Sequence, residues 1–234
     1  MADREGLISD PAPKLEGENI SRTIVVTGAA SGIGRATAEI LEAQGNRVIH
    51  VDLKEGDITG DLGNRASIAE VVTEIEEISG GVIDGLVANA GVSIPSPLSL
   101  KINYFGTVAL IEALLPLLAK SSEAPRVSVT SSAATLQGND PELVDLMLAG
   151  NEEGAVAHGQ ALTDMGGHAG YANYSSSKRA ISRWVRKVAP SQEFAGAGIS
   201  INAVGLGQVA TGMTKELFST EKSRKMAETA IPTP

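Results

Sequence analysis

Eight residues near the start of the chain constrain it most. Thr27-Gly28-Ala29-Ala30-Ser31-Gly32-Ile33-Gly34 sets three glycines at G-x3-G-x-G spacing. A β-branched run, Thr23 to Thr27 (TIVVT), leads in, and a stretch of helical length, Gly34 to Gln44, leads out. A strand that turns on glycines straight into a helix leaves the first helical N–H groups free and the positive helix end open. Backbone without side chains lets a pyrophosphate approach closely, so this turn reads as the phosphate site for a dinucleotide. Gly28, Ser31, Gly32, Ile33 and Gly34 are its candidate contacts.

The rest of the chain repeats the strand-then-helix rhythm. Further strand candidates are Arg47 to Val51 (RVIHV), Gly85 to Ala88 (GLVA), Arg126 to Thr130 (RVSVT) and Ile199 to Val204 (ISINAV), making five or six in all. Helical stretches lie between them. Asn64 to Ser79 carries Ile68, Val71, Val72, Ile75 and Ile78 at 3-4 spacing. Ile102 to Lys120 is apolar along most of its length, and Tyr174 to Ala189 carries Ile181, Trp184, Val185 and Val188 on one stripe. Apolar strands alternating with helices imply a doubly wound parallel sheet covered on both faces. Residues 1–22 are polar and read as a flexible tail, and residues 23–234 read as a single domain. Gly138 to Gly170 breaks the rhythm as an acidic, glycine-rich insertion in which Pro141 to Leu148 is one helix candidate.

Composition narrows the functional classes. The 234 residues carry a net charge of −9, which argues against nucleic acid or an anionic membrane as the main partner. The absence of cysteine excludes disulfides and thiolate metal sites, and it fits a reducing, cytoplasmic setting. The apolar stretch Val108 to Ala119 holds Glu112 and Pro116 and is too short to span a bilayer.

The second strand ends at Asp52-Leu53, with Asp52 18 residues after Gly34. A carboxylate there accepts from both hydroxyls of the adenosine ribose and repels a 2′-phosphate, which predicts NAD over NADP. Tyr174-Ser175-Ser176-Ser177-Lys178 puts a phenol and an ammonium at i and i+4 on one helix face. Such a tyrosine can give a proton to a carbonyl or take one from an alcohol. Thr130-Ser131-Ser132 and Asn89-Ala90-Gly91 end strands at the carboxyl edge, where α/β sheets place their ligands. Asn103, an amide inside an apolar helix, needs partners, either structural or in the site.

Together these residues resemble the short-chain dehydrogenase/reductase family, from about Thr23 to Thr214. The pattern T-G-x3-G-I-G is met by Thr27, Gly28, Gly32, Ile33 and Gly34, N-A-G by Asn89-Ala90-Gly91, and Y-x3-K by Tyr174 and Lys178. The resemblance implies a Rossmann sheet of order 3-2-1-4-5-6. It implies an NAD-dependent oxidoreductase acting on a secondary alcohol or ketone. Tyr174 is then the general acid/base, Lys178 binds the nicotinamide ribose and lowers the tyrosine pKa, and Ser132 polarises the substrate oxygen. Asn103 holds a relay water. Asp61 and Leu62 lie near adenine, Leu53 beside Asp52, and Val209 and Thr211 against the carboxamide. It also implies a homo-oligomer, dimer or tetramer.

Ser132 and Tyr174 are 42 residues apart, much further than is usual in the family. That insertion, with Asn103-Tyr104-Phe105-Gly106, is similar to the bacterial 3α-hydroxysteroid dehydrogenase/carbonyl reductase branch. A hydroxysteroid or xenobiotic carbonyl is the implied substrate. Leu206 stands where the family has proline. The sequence ends at Ile231-Pro232-Thr233-Pro234, where the family continues into a seventh strand, so that strand is expected to be missing. The rival reading is an NAD-binding regulatory or scaffold protein without efficient turnover. His50, His158 and His168 show no metal-ligand spacing and read as surface or loop residues. Arg179, Arg183, Arg186 and Lys187 read as a solvated strip, and Met147, Met165 and Met213 as packing residues.

Overall fold

The computed structural model describes residues 21–221 and Lys225. The tail expected over 1–22 lies outside this range except for Ser21 and Arg22, as does most of the chain after Thr220. Arg22 already belongs to the fold: its N–H donates to Asn46 Oδ1 and its carbonyl accepts from Arg47.

Among the described residues, six parallel strands form one sheet in the order β3-β2-β1-β4-β5-β6. They are β1 (Thr23–Thr27), β2 (Arg47–Asp52), β3 (Ile58–Thr59), β4 (Gly85–Ala88), β5 (Arg126–Ser132) and β6 (Ser200–Leu206). Both the order and the parallel pairing agree with the expectation. β3 is only two residues long, which is why no apolar run marks it in the sequence.

The strands bury both faces, so their side chains divide into two clusters. On one face Ile24 and Val26 meet Ala38 of α1 (Gly32–Ala43). On the other Val25, Ile49, Leu86, Val127 and Val129 meet α2 (Arg65–Ser79), α3 (Leu98–Leu118) and the carboxyl half of a later long helix. α2 starts where Asn64 Oδ1 accepts from the N–H groups of Ala66 and Ser67, and it stops at left-handed Gly80.

α3 is longer than the apolar run that announced it. It begins at Leu98, and its 21 residues have the length and composition of a membrane-crossing helix. It is nevertheless a core helix here, with Leu100, Leu110, Ile111, Leu114 and Leu118 all buried. Its segment Lys101–Gly106 is π-helical, so an extra residue is accommodated just where Asn103 sits.

The insertion holds two helices, α4 (Pro141–Leu148) and α5 (Glu152–Asp164); only the first had a sequence signature. Asp140 caps α4 through Leu143 N, and Asn151 caps α5 through Gly154 N. α5 escapes a periodicity reading because its buried face is made of small residues, Ala155 and Gly159. Both helices pack on α6 (Gly167–Val188), which starts seven residues before Tyr174.

Candidate active site

Because every strand is parallel, Gly28, Asp52, Asn89, Ser132 and Leu206 all emerge at one edge of the sheet. There they border a single cleft of about 580 Å³. All the candidate catalytic and cofactor-binding residues border this cleft except Gly34, which supports its floor, and Asn103, which lies behind Gly91.

The first wall is built from backbone. Gly28 and Gly32 have φ of +69° and +54°, the left-handed region that glycine enters at little cost. Gly28 N–H donates to Val51 O at 2.8 Å, tying the turn to β2. A Cβ on Gly34 would lie 2.1 Å from Gly28 O and 2.6 Å from Asn89 Nδ2, so only glycine lets α1 come this close. Among the described residues no side chain caps α1 at Ser31, so its first N–H groups open toward the cleft.

Thr27 and Asn89 brace this wall. Thr27 Oγ1 accepts from the N–H groups of Asn89 and Ala90, both at 3.0 Å. Asn89 Nδ2 donates to Thr27 O, and Thr130 Oγ1 donates to Asn89 Oδ1 at 3.3 Å. One asparagine thus ties β1, β4 and β5 together beneath the cleft. The bracing roles of Thr27 and Thr130 were not foreseen, because a threonine at a strand end has no distinctive spacing.

At the far end of the cleft Asp52 Oδ2 accepts from Ala30 N and Oδ1 from Lys54 N, each at 3.2 Å. Each oxygen keeps a further lone pair for a hydroxyl. Leu53 is 61% exposed at the lip, whereas Leu62 is buried and Asp61 closes its own turn by accepting from Gly63 N. These features fit an adenine dinucleotide: a side-chain-free cradle, open helix N–H groups, and a carboxylate one strand away.

The opposite wall is made of side chains. Tyr174 and Lys178 face the cleft from α6 and Ser132 faces it from β5. The two serines that end β5 are held differently. Ser131 is buried and bonds Lys178 O and Ser182 Oγ, while Ser132 is half-buried and its Oγ accepts only from Ala134 N among the described residues. Ser132 therefore keeps its hydroxyl hydrogen for a ligand. Lys178 is buried, and its Nζ donates to Thr130 O at 2.8 Å. Burial pulls its pKa down to about 8.

Asn103 is held structurally. Its Oδ1 accepts from Val92 N at 2.9 Å, and its Nδ2 donates to Val92 O at 2.9 Å and to Ser177 Oγ at 3.1 Å. It sits against Gly91, which also borders Lys178 Nζ. The three serines between Tyr174 and Lys178 all have partners. Ser175 donates to Gly138 O at 2.7 Å, Ser176 Oγ accepts from Asp140 N at 2.9 Å, and Ser177 donates to Tyr174 O while accepting from Asn103. The helix that presents the tyrosine therefore grips the insertion on one side and α3 on the other.

Some expectations for the outlying residues change. Met147 is core, but Met213 lines the cleft and Met165 is 75% exposed, so only one of the three is a packing residue. His50 and His158 are not idle surface residues, since each lies between two carboxylates. The side chain of His168 lies outside what is described. Arg183 of the basic strip pairs with Asp145 of α4.

Comparison with known proteins agrees with this geometry. A family model described as enoyl-(acyl carrier protein) reductase matches residues 28–234. The 3-alpha-hydroxysteroid dehydrogenase/carbonyl reductase of Comamonas testosteroni is 31% identical over 196 residues, which is 80% of this chain and 73% of that protein. A 3-oxoacyl-[acyl-carrier-protein] reductase of Vibrio cholerae is 28% identical, covering 88% of this chain and 81% of its own length. Among solved structures, the 3-alpha-hydroxysteroid dehydrogenase of Pseudomonas sp. B-0831, complexed with NADH, superposes with a TM-score of 0.77 at 31% identity, over 88% of this chain and 80% of that one. RhlG of Pseudomonas aeruginosa, in an NADP complex, shares the fold, with a TM-score of 0.70 at 24% identity over 91% of this chain and 83% of that one.

Proposed function

The chain belongs to the short-chain dehydrogenase/reductase family, and on that premise we propose that it interconverts a secondary alcohol and a ketone with NAD(H), using Tyr174 as general acid/base. The observation that carries this reading is the meeting of Ser132, Tyr174 and Lys178 on one wall of the cleft whose other wall is the glycine turn and Asp52. The nicotinamide, when bound, supplies the hydride chemistry. Gly28, Ser31, Gly32, Ile33 and Gly34 would hold the pyrophosphate, Asp52 and Leu53 the adenosine ribose, and Asp61 and Leu62 the adenine. Ala90, Gly91, Val209 and Thr211 would border the nicotinamide end.

In the reductive direction the Tyr174 hydroxyl donates its proton to the carbonyl oxygen, and in the oxidative direction its phenolate takes the alcohol proton. Ser132 Oγ–H donates to the same oxygen and polarises it. Lys178, held by Thr130 O, places a positive charge one helical turn from the phenol and favours the phenolate. Asn103 keeps Val92 and the Ser177 turn in place behind the lysine, which is where a relay to solvent would run.

Asp52 supports NAD over NADP, because a 2′-phosphate would meet a carboxylate there. The implied substrate is a hydroxysteroid or xenobiotic carbonyl. Support comes from the two 3-alpha-hydroxysteroid dehydrogenases at 31% identity and from the apolar side chains of Val92, Ile102, Leu206 and Met213 along the cleft.

The test is NADH-dependent reduction of a panel containing 3-oxosteroids and aryl ketones, with wild type and Tyr174→Phe side by side. We expect turnover by wild type and a loss of about a thousandfold or more in kcat for the variant, with the NADH Kd unchanged by calorimetry. Full activity in Tyr174→Phe overturns the mechanism.

A further inference from the structure

We propose that His50 is a positioning residue for the adenosine end of the nucleotide site, acting in its doubly protonated form as a clamp between α1 and the loop that follows Asp52. The inference rests on the dinucleotide reading of the cleft.

Residues 53–57 join Asp52 to β3, and Leu53, Lys54 and Glu55 of this loop line the adenosine end of the cleft. The loop is exposed throughout, so little apolar packing fixes its path. What holds its far end is Asp57. Oδ2 of Asp57 accepts from the His50 main-chain N–H at 2.8 Å and lies 3.0 Å from His50 Nδ1. The other ring nitrogen, Nε2, lies 3.4 Å from Glu42 Oε1, on the helix that begins at the glycine turn. One imidazole thus joins the adenosine loop to the phosphate-binding helix.

The chemistry of the ring determines its state in this arrangement. A neutral imidazole has one N–H and one lone pair. Between two carboxylates it satisfies one of them and points its lone pair at the other. The imidazolium donates to both, so protonation closes the clamp. Burial pushes Asp57 upward, but the hydrogen bonds from the His50 main chain and ring, with the charges of His50 and Arg47, outweigh it and hold the carboxyl below its usual range. The charged groups that face the ring are Glu42 from α1 and Asp57 from the loop. Arg47, further back on β2, donates to Ile78 O and acts on Asp57 from a distance.

The side chains of Glu42, His50 and Asp57 are 46%, 27% and 50% exposed, so the effect is modest in size and specific in form. The experiment measures Kd for adenosine by calorimetry between pH 6 and pH 9. Adenosine carries neither the phosphates nor the second ribose that would reach Lys178, and it does not itself ionise near neutrality. Wild type should weaken about fivefold from the acid to the alkaline end. His50→Gln cannot take a charge, so its affinity should be flat across this range and equal to wild type at the alkaline end. Glu42→Gln lets a neutral ring donate to Asp57 while accepting from the amide, so it should keep the acid-side affinity at pH 9. Thermal unfolding of each variant reports whether it is folded. A wild-type pH profile that persists in His50→Gln, or an alkaline loss that persists in Glu42→Gln, overturns the clamp alone. No binding of adenosine or of NADH by wild type at any pH overturns the dinucleotide reading and the clamp with it.

Discussion

The two walls of the cleft are built on opposite principles. The glycine wall positions its ligand by leaving atoms out: Gly34 sits where a Cβ would fall 2.1 Å from Gly28 O, and α1 offers free N–H groups. The Tyr174 wall positions its groups by adding polar atoms where water is excluded. Asn173, Ser175, Ser176, Ser177 and Lys178 are all buried, and every one has a hydrogen-bond partner. A wall made by omission is steeply intolerant of added volume. A wall made of buried polar groups sacrifices stability to hold a reactive geometry.

Two glycine-to-alanine changes set the walls against each other. Gly34→Ala drives a Cβ into backbone that cannot yield, and we expect about 3 kcal/mol of destabilisation together with loss of nucleotide binding by calorimetry. Gly159→Ala places a Cβ 2.3 Å from Asn173 Oδ1 and 2.7 Å from Leu100 Cδ1, between α5 and the helix carrying Tyr174. Here about 2 kcal/mol is expected, and the signature differs: kcat falls while the nucleotide Kd stays. An equal loss of nucleotide binding in both variants would erase the distinction between the walls.

Lys178 gives the comparison its sign. Its pKa of about 8 in the folded chain lies below the ordinary 10.5, so between these values the unfolded chain holds more protons and stability rises with pH. Below pH 8 the buried charge costs about 3 kcal/mol in full. Replacing it in Lys178→Met, after loss of the bond to Thr130 O, should raise stability at pH 7 by about 2 kcal/mol while abolishing turnover. The rise in wild-type stability between pH 8 and pH 10.5 should vanish in that variant. Denaturant titrations at several pH values measure both. The smallest effect belongs to Ser176→Ala, which removes the bond to Asp140 N and should cost about 1 kcal/mol with nucleotide binding untouched.

The same contrast explains what could be read before the structure. Glycine spacing is a local pattern, as are an acid ending the second strand and a phenol four residues from an ammonium, so Gly28, Asp52, Tyr174 and Lys178 were legible, whereas the choice of Ser132 over Ser131 followed from the family resemblance. The six-stranded order followed from the family resemblance, while β3 was too short to show. The second inserted helix was hidden because its buried side chains are Ala155 and Gly159, which give no apolar stripe. The bracing by Thr27, Thr130 and the three serines was hidden for another reason. Their partners lie 36 to 74 residues away in the chain, and common hydroxyl residues carry no mark of a distant bond.

The π-helical segment Lys101–Gly106 has a consequence for how this helix could have arisen. A single inserted codon, absorbed as a bulge, leaves both flanking α-helical ends in phase with their neighbours. Removing one residue within it would let the ladder close as regular α-helix, with Thr107 to Leu118 keeping their places and Leu110, Ile111 and Leu114 staying in the core. What would be lost is the placement of Asn103 against Val92 and Ser177. A one-codon deletion there would thus spare the core and remove the lysine's support.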